Sequence, residues 1–182
     1  MKTLTLLIGL IITSASFAQT LFMTRNGQVS FFSKTQVENI DAVNNEATSI
    51  MNIKTGEIAF AVLVKSFRFQ KALMEEHFNE NYMESDKFPK ATFSGKVLNM
   101  ETIDLTKNGS YPVEISGDLT IHGVTQNIKT NGVLTVANTQ LSATSTFPIR
   151  LENYKIEIPA LVSDKIAKEV EIKVNCVYQP KS

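Results

Sequence analysis

The chain has 182 residues, with 18 basic side chains balancing 18 acidic ones, and a single cysteine. The balance leaves no basic excess of the kind that neutralises nucleic-acid phosphates, and a lone cysteine excludes an internal disulfide. A chain of this length suits one domain and buries roughly 70% of its unfolded surface, enough for a real core.

Met1-Lys2-Thr3 is a short, positively charged start, followed by an apolar run from Leu4 to Ile12. Ser16-Phe17-Ala18 then sets small residues at the two positions a signal peptidase inspects. Residues 1–18 are therefore expected to be a leader cleaved after Ala18, and 19–182 the folded domain. The run falls short of the ~20 apolar residues that a membrane-spanning helix needs. Loss of Lys2 leaves one acidic charge in excess, and the remainder is expected to be soluble and exported.

Beyond the leader, the dominant signal is period-two alternation, which marks strands with one apolar and one polar face. It begins at Val29, Phe31 and Ser33, with turns expected at Asn26-Gly27 and Thr55-Gly56. Ile58 to Val64 is apolar on both faces, which predicts a strand covered from outside. Gln70 to Met83 breaks the rhythm with near-helical spacing and no Gly or Pro, and a short helix is expected over 70–83. Alternation resumes at Ala91, Phe93, Gly95 and Val97, and after a turn at Asn108-Gly109 continues through Val113, Ile115, Gly117, Leu119 and Ile121. His122-Gly123 reads as a hairpin loop, and Asn131-Gly132, inside the next run, as a bulge. Leu141 to Leu151 and Val170 to Tyr178 complete the series, with a weak helical turn expected at Ser163–Lys168. Many strands and one helix indicate an antiparallel barrel or sandwich.

Chemistry is sparse. His77 and His122 are the candidates for acid–base work near neutral pH. His77 reads as amphipathic surface. His122 reads as a turn residue bonded to its own hairpin or as a contact at a cavity mouth. Cys176 reads as an inert core thiol. Glu75-Glu76 and Glu152 with Glu157 read as solvated charge. No His, Cys or acidic cluster has metal spacing, and no nucleophile–base pair is visible, so neither metal, cofactor nor catalysis is expected. The phenylalanines 60, 67, 69, 78, 88, 93 and 147 fit a ligand tube and a packed core equally well.

Two segments carry a resemblance. Lys87-Phe88-Pro89-Lys90-Ala91-Thr92-Phe93-Ser94-Gly95 and Gly117-Asp118-Leu119-Thr120-Ile121-His122-Gly123-Val124-Thr125-Gln126, in this order and at this separation, resemble the YceI-like family. Phe67 to Asp86 is similar to that family's helical insertion, and the likeness spans most of residues 22–178. The chain departs from the pattern at Asn44-Asn45-Glu46-Ala47, where the family has a "G-x-F" segment. It departs again after Arg150, where Leu151 to Ile156 replace a glycine-bearing close.

The resemblance implies an all-β fold: an eight-stranded antiparallel, lipocalin-like β-barrel around an elongated apolar interior. It also implies a periplasmic protein that encloses a polyisoprenoid or similar long-chain lipid for transport or storage, with no catalytic step. The alternative is an extracytoplasmic stress or interaction module with a filled barrel. Phe60, Val62, Phe93, Leu119, Ile121, Phe147 and Ile149 are the expected lining, Phe78 a gate, and His122 a residue of the mouth. A homodimer and a transient contact with a membrane surface are both compatible with the chain.

Overall fold

A computed structural model describes residues 20–138 and 140–181; the expected leader, residues 1–18, lies outside them. The elements are β1 (Leu21–Lys34), β2 (Asn39–Asn52), β3 (Glu57–Leu63), β4 (Arg68–Phe69) and α1 (Ala72–His77). They continue as β5 (Lys90–Val97), β6 (Gly109–Ile121), β7 (Val124–Ala137), β8 (Gln140–Arg150) and β9 (Glu169–Pro180). Hydrogen bonding runs β1-β2-β3-β5-β6-β7-β8-β9 and returns from β9 to β1, every pair antiparallel. The result is a closed eight-stranded β-barrel, to which β4 adds two residues beside β2. The fold class expected from the alternation and the resemblance is the one observed.

The helix is α1 with its continuation Phe78–Tyr82, where the turn widens to a π-helix. It has no side-chain N-cap. Glu75 ties it to the wall instead, accepting from the Arg68 guanidinium at 2.9 Å and from the Phe69 amide at 3.3 Å. Glu75 is thus a structural clamp rather than solvated charge. His122 and Gly123 form the β6–β7 turn with φ of 51° and 72°, the doubly positive geometry that a two-residue hairpin of matching twist requires.

Several expectations change. Asn26-Gly27 is no turn: β1 runs through it with register shifts around Gly27, and such bulges bend a long strand without ending it. Gly132 pairs in register on both sides of β7, so there is no bulge. A side chain there would meet the Thr144 carbonyl at 2.8 Å. Nothing covers β3. Its outer face is two half-buried alanines and Leu63, 42% exposed, so little apolar area needs covering. The helical turn expected at Ser163–Lys168 forms earlier, at Ala160–Val162.

Alternating directions put the β1–β2, β6–β7 and β8–β9 connections and α1 at one end, the mouth. The β2–β3, β5–β6 and β7–β8 connections lie at the other, the floor. The floor end is solid. Met51, Val97, Met100, Val113, Leu134, Leu141 and Cys176 pack there with Tyr178, whose hydroxyl lies 2.8 Å from Ser49 Oγ. Outward positions on β6 and β9 are mostly polar: Glu114, Asp118, Glu169, Glu171 and Lys173 are all exposed. Apolar inside and charged outside is the reverse of a lipid-facing membrane barrel.

Two predictions follow from this packing. Gly95 and Gly117 pair directly across β5–β6, and a Cβ on Gly117 would lie 2.5 Å from the Ser94 carbonyl and 2.7 Å from the Phe93 ring. Gly117→Ala is expected to cost about 1–3 kcal/mol, the usual penalty for overpacking, seen as a lower urea midpoint. Burial pushes the Cys176 thiol up to about 12 from an ordinary 9.0 and also raises the Tyr178 hydroxyl. The unfolded chain releases these protons at lower pH than the fold does. Stability is therefore full below pH 9.0 and falls as pH rises from there toward about 12. Urea unfolding across that range should show the decline, and Cys176→Ala should flatten it.

Candidate functional site

Above the solid floor the barrel is hollow. A cavity of about 540 Å³ opens at the mouth end. Toward the floor it is lined by Ile58, Ile115 and Ala143 together with Phe60 and Phe93, whose rings meet edge to face at 6.4 Å between centroids. Both also pack on the lower core. The Phe93 ring lies over the Gly95–Gly117 pair, within 2.7 Å of where either glycine would carry a Cβ. Two adjacent glycines thus give the ring a seat that no other residue pair would leave.

The walls are the inward phase of the strands. Val29 and Phe31 come from β1, Val62 from β3, Leu119 and Ile121 from β6, Phe147 and Ile149 from β8, and Ile172 and Val174 from β9. Many of these large apolar side chains are only half buried, Phe31, Phe60, Phe93, Phe147 and Ile172 among them. The exposure is to the hollow itself. Near the mouth Phe31, Phe67, Phe69 and Phe78 form a cluster with centroids 5.0 to 5.7 Å apart. Phe78 stands on the π-turn, and such widened turns recur at functional sites. Two inward hydroxyls in the lumen, Thr130 and Ser145, approach each other at 3.4 Å, and Ser145 also donates to the Asn131 carbonyl at 2.7 Å.

Toward the mouth the wall parts at two seams. β7 and β8 pair only between Gly132–Ala137 and Gln140–Ser145. Above that, residues 151–156 fill the gap, with Leu151 and Ile156 facing the cavity. Gln126 Nε2 donates to the Asn153 carbonyl at 3.0 Å. His122 Nδ1 lies 3.2 Å from the Tyr154 carbonyl, and its Nε2 lies 2.9 Å from a Glu84 carboxylate oxygen. Both partners are oxygen acceptors, one on each side of the ring. Glu84, His122 and Lys155, beside Tyr154, all have positive φ, 42°, 51° and 55°, uncommon for residues with a side chain. Three tight turns therefore meet at one clamp. At the other seam β2 and β3 pair only over Thr48–Met51. The buried Asn44 donates across it to the Leu63 carbonyl at 2.8 Å.

Phe60, Val62, Phe78, Phe93, Leu119, Ile121, Phe147 and Ile149 all line the cavity, with Phe67 and Phe69. Phe88 does not. It stacks edge-on against His122 at 4.6 Å, so the Phe88-Pro89 and His122-Gly123 segments are in contact. His122 is likewise absent from the lining. It sits on the β6–β7 turn at the mouth end and bonds across to Tyr154 and Glu84 rather than within its own hairpin. His77, read as plain surface, is at the cavity rim.

Residues 13–178 match the YceI-like domain. The chain belongs to the YceI-like family. A polyisoprenoid binding domain from Saccharophagus degradans, implicated in plant cell wall breakdown, shares the fold with a TM-score of 0.78 at 15% identity, over 90% of this chain and 99% of that one. BcnA of Burkholderia cenocepacia aligns with a TM-score of 0.69 at 16% identity, over 84% and 96%. The YceI protein of Campylobacter jejuni gives 0.56 at 14% identity, over 82% and 89%. No curated protein matches the chain. At these identities the structural likeness is one of fold. The YceI-like family is one of binding proteins, and among the described residues no group of three or more His, Cys, Asp or Glu is placed to hold a metal.

The clamp yields a prediction. His122→Ala removes two bonds to residues 84 and 154, one of them to a charged group, a loss worth about 1–3 kcal/mol. Hydrogen exchange of the 151–156 amides should accelerate, while the β6 and β9 amides keep their protection.

Proposed function

We propose that this protein encloses the apolar chain of one lipid, a polyisoprenoid or a similar long-chain amphiphile, and serves as its exported carrier or store without acting on it chemically. The observation that carries this reading is the cavity: about 540 Å³, apolar along its depth, closed below and open at one end. Eight strands make a barrel wide enough for one slender ligand. Each CH₂ moved from water into such a space gains about 0.8 kcal/mol, so a tail needs no polar partner to be held. The S. degradans relative is itself a polyisoprenoid binding domain. Export to the periplasm fits the charged start, apolar run and small residues of positions 1–18. A filled-barrel interaction module fits less well, because the inward phenylalanines leave space between them.

Native mass spectrometry of the protein purified without detergent, before and after organic extraction, tests the reading. A bound mass in the range of a single-chain lipid, lost on extraction, is the expected result. An apo mass unchanged after incubation with isoprenoid and fatty-acyl mixtures would overturn it in favour of the filled-barrel module. A second test fills the lumen. Ala143 faces the cavity, so Ala143→Phe should weaken lipid binding at least about tenfold, a 1.4 kcal/mol effect. Ala143 also packs on the floor cluster, so a retained cooperative thermal transition is the control that the loss comes from a filled lumen and not from a disturbed floor.

A further inference from the structure

Charge on the cavity lining is confined to its rim. Glu38 on the β1–β2 connection, Lys71 and His77 at α1, and Lys165 on the β8–β9 connection contribute to the lining, whose depth is apolar apart from small hydroxyl side chains and Tyr82. Glu38 is already engaged, with Lys71 Nζ 2.9 Å from its carboxylate. Lys165 and His77 make no side-chain hydrogen bond or ion pair among the described residues. Beside them on the same connections stand Val37, Leu73 and Leu161, exposed at 59%, 61% and 91%. The rim thus has one neutralised acid and two unengaged nitrogen donors set among apolar side chains.

We infer that this rim is a head-group site for an anion, a carboxylate or a phosphate, held by Lys165 and His77 with Lys71 alongside while the tail lies in the cavity. The inference rests on the proposed lipid cargo and specifies its polar end. A tail seated against Phe60 and Phe93 leaves its head at the mouth, because the lumen's hydroxyl pair is self-satisfied and no charged side chain lies deeper. Hydrogen bonds between charged partners are roughly twice as strong as neutral ones, so the rim discriminates heads that the apolar lumen cannot. A quaternary ammonium is the counter-case. Its natural seat is the face of an aromatic ring, but the four mouth phenylalanines are packed against one another.

Four ligands sharing one tail test this: hexadecanol, hexadecanoate, hexadecyl phosphate and hexadecyltrimethylammonium, each kept below its micelle threshold. Each displaces N-phenylnaphthylamine from the delipidated protein. The two anions are expected to bind about tenfold tighter than the alcohol, with an advantage that shrinks as salt rises. The ratio between them separates a fatty-acid source from a phosphorylated lipid. Lys165→Glu, at an exposed position, should erase the anion advantage, read as the ratio of anion to alcohol affinity in the variant. Equal binding of alcohol and anions, or tightest binding of the ammonium, would overturn the head-group site and leave the apolar carrier standing. Displacement by none of the four would overturn both.

Discussion

The seat of Phe93 on the Gly95–Gly117 pair divides the barrel into two halves with different physics. Below it the inward residues touch across the axis and form an ordinary core, down to the buried Tyr178–Ser49 contact. Above it the same strands continue with side chains that pack in clusters along the walls and leave a cavity between them. With a Cβ at either glycine the ring would have to move, and the floor of the cavity with it. Protein interiors are normally close-packed, so a hollow persists only where the backbone is held apart. Here closure does that: eight strands hydrogen-bonded in a ring cannot approach the axis without breaking pairs.

Closure is incomplete toward the mouth, and polar side chains fasten the two open seams. The β7–β8 seam is filled by residues 151–156 and pinned by His122 to both Tyr154 and Glu84. The β2–β3 seam is bridged by Asn44 and lined by the aromatic cluster that Glu75 and Arg68 help to hold. Buried polar groups are costly unless paired; Asn44 pairs with the Leu63 carbonyl across its seam, and His122 with the Tyr154 carbonyl and the Glu84 carboxylate. The histidine of the hairpin motif is thus a seam fastener. The mouth is left to α1 and two connections, the parts of the molecule with the fewest sheet partners.

Most of the walls could be read from alternation, because β6, β8 and β9 each set a strict apolar phase against polar neighbours. The seven residues assigned to the lining from sequence, and Phe78 as the gate, all face the hollow, although alternation cannot distinguish a lined cavity from a packed core. That depends on whether opposite walls touch, which is set by the barrel's girth and by the two glycines. β2 was not legible. Its inward face carries Ala42, Asn44, Ala47 and Ser49, small or polar residues whose partners, Leu63 and Tyr178, are distant in sequence. Asn26-Gly27 misled for a related reason. The dipeptide has turn chemistry, but β1 is flanked by β2 and β9, and two ladders outweigh one local preference. The partners of His122 could not be read in the same way, because they lie 32 and 38 residues away.

An apolar hollow of this size is also a store of unrealised stability. Its lining lacks the contacts that a packed core would have, and those missing contacts are what a lipid tail supplies. Cargo and core are then the same kind of matter, and filling the cavity acts on the fold as ligand binding does, raising stability with the logarithm of ligand concentration over Kd. The solid lower half bears on this directly. It lets the barrel remain folded while the upper half is empty, which the carrier role proposed above requires. A carrier needs that division: one end packed well enough to hold the structure, and the other loose enough to exchange what it holds.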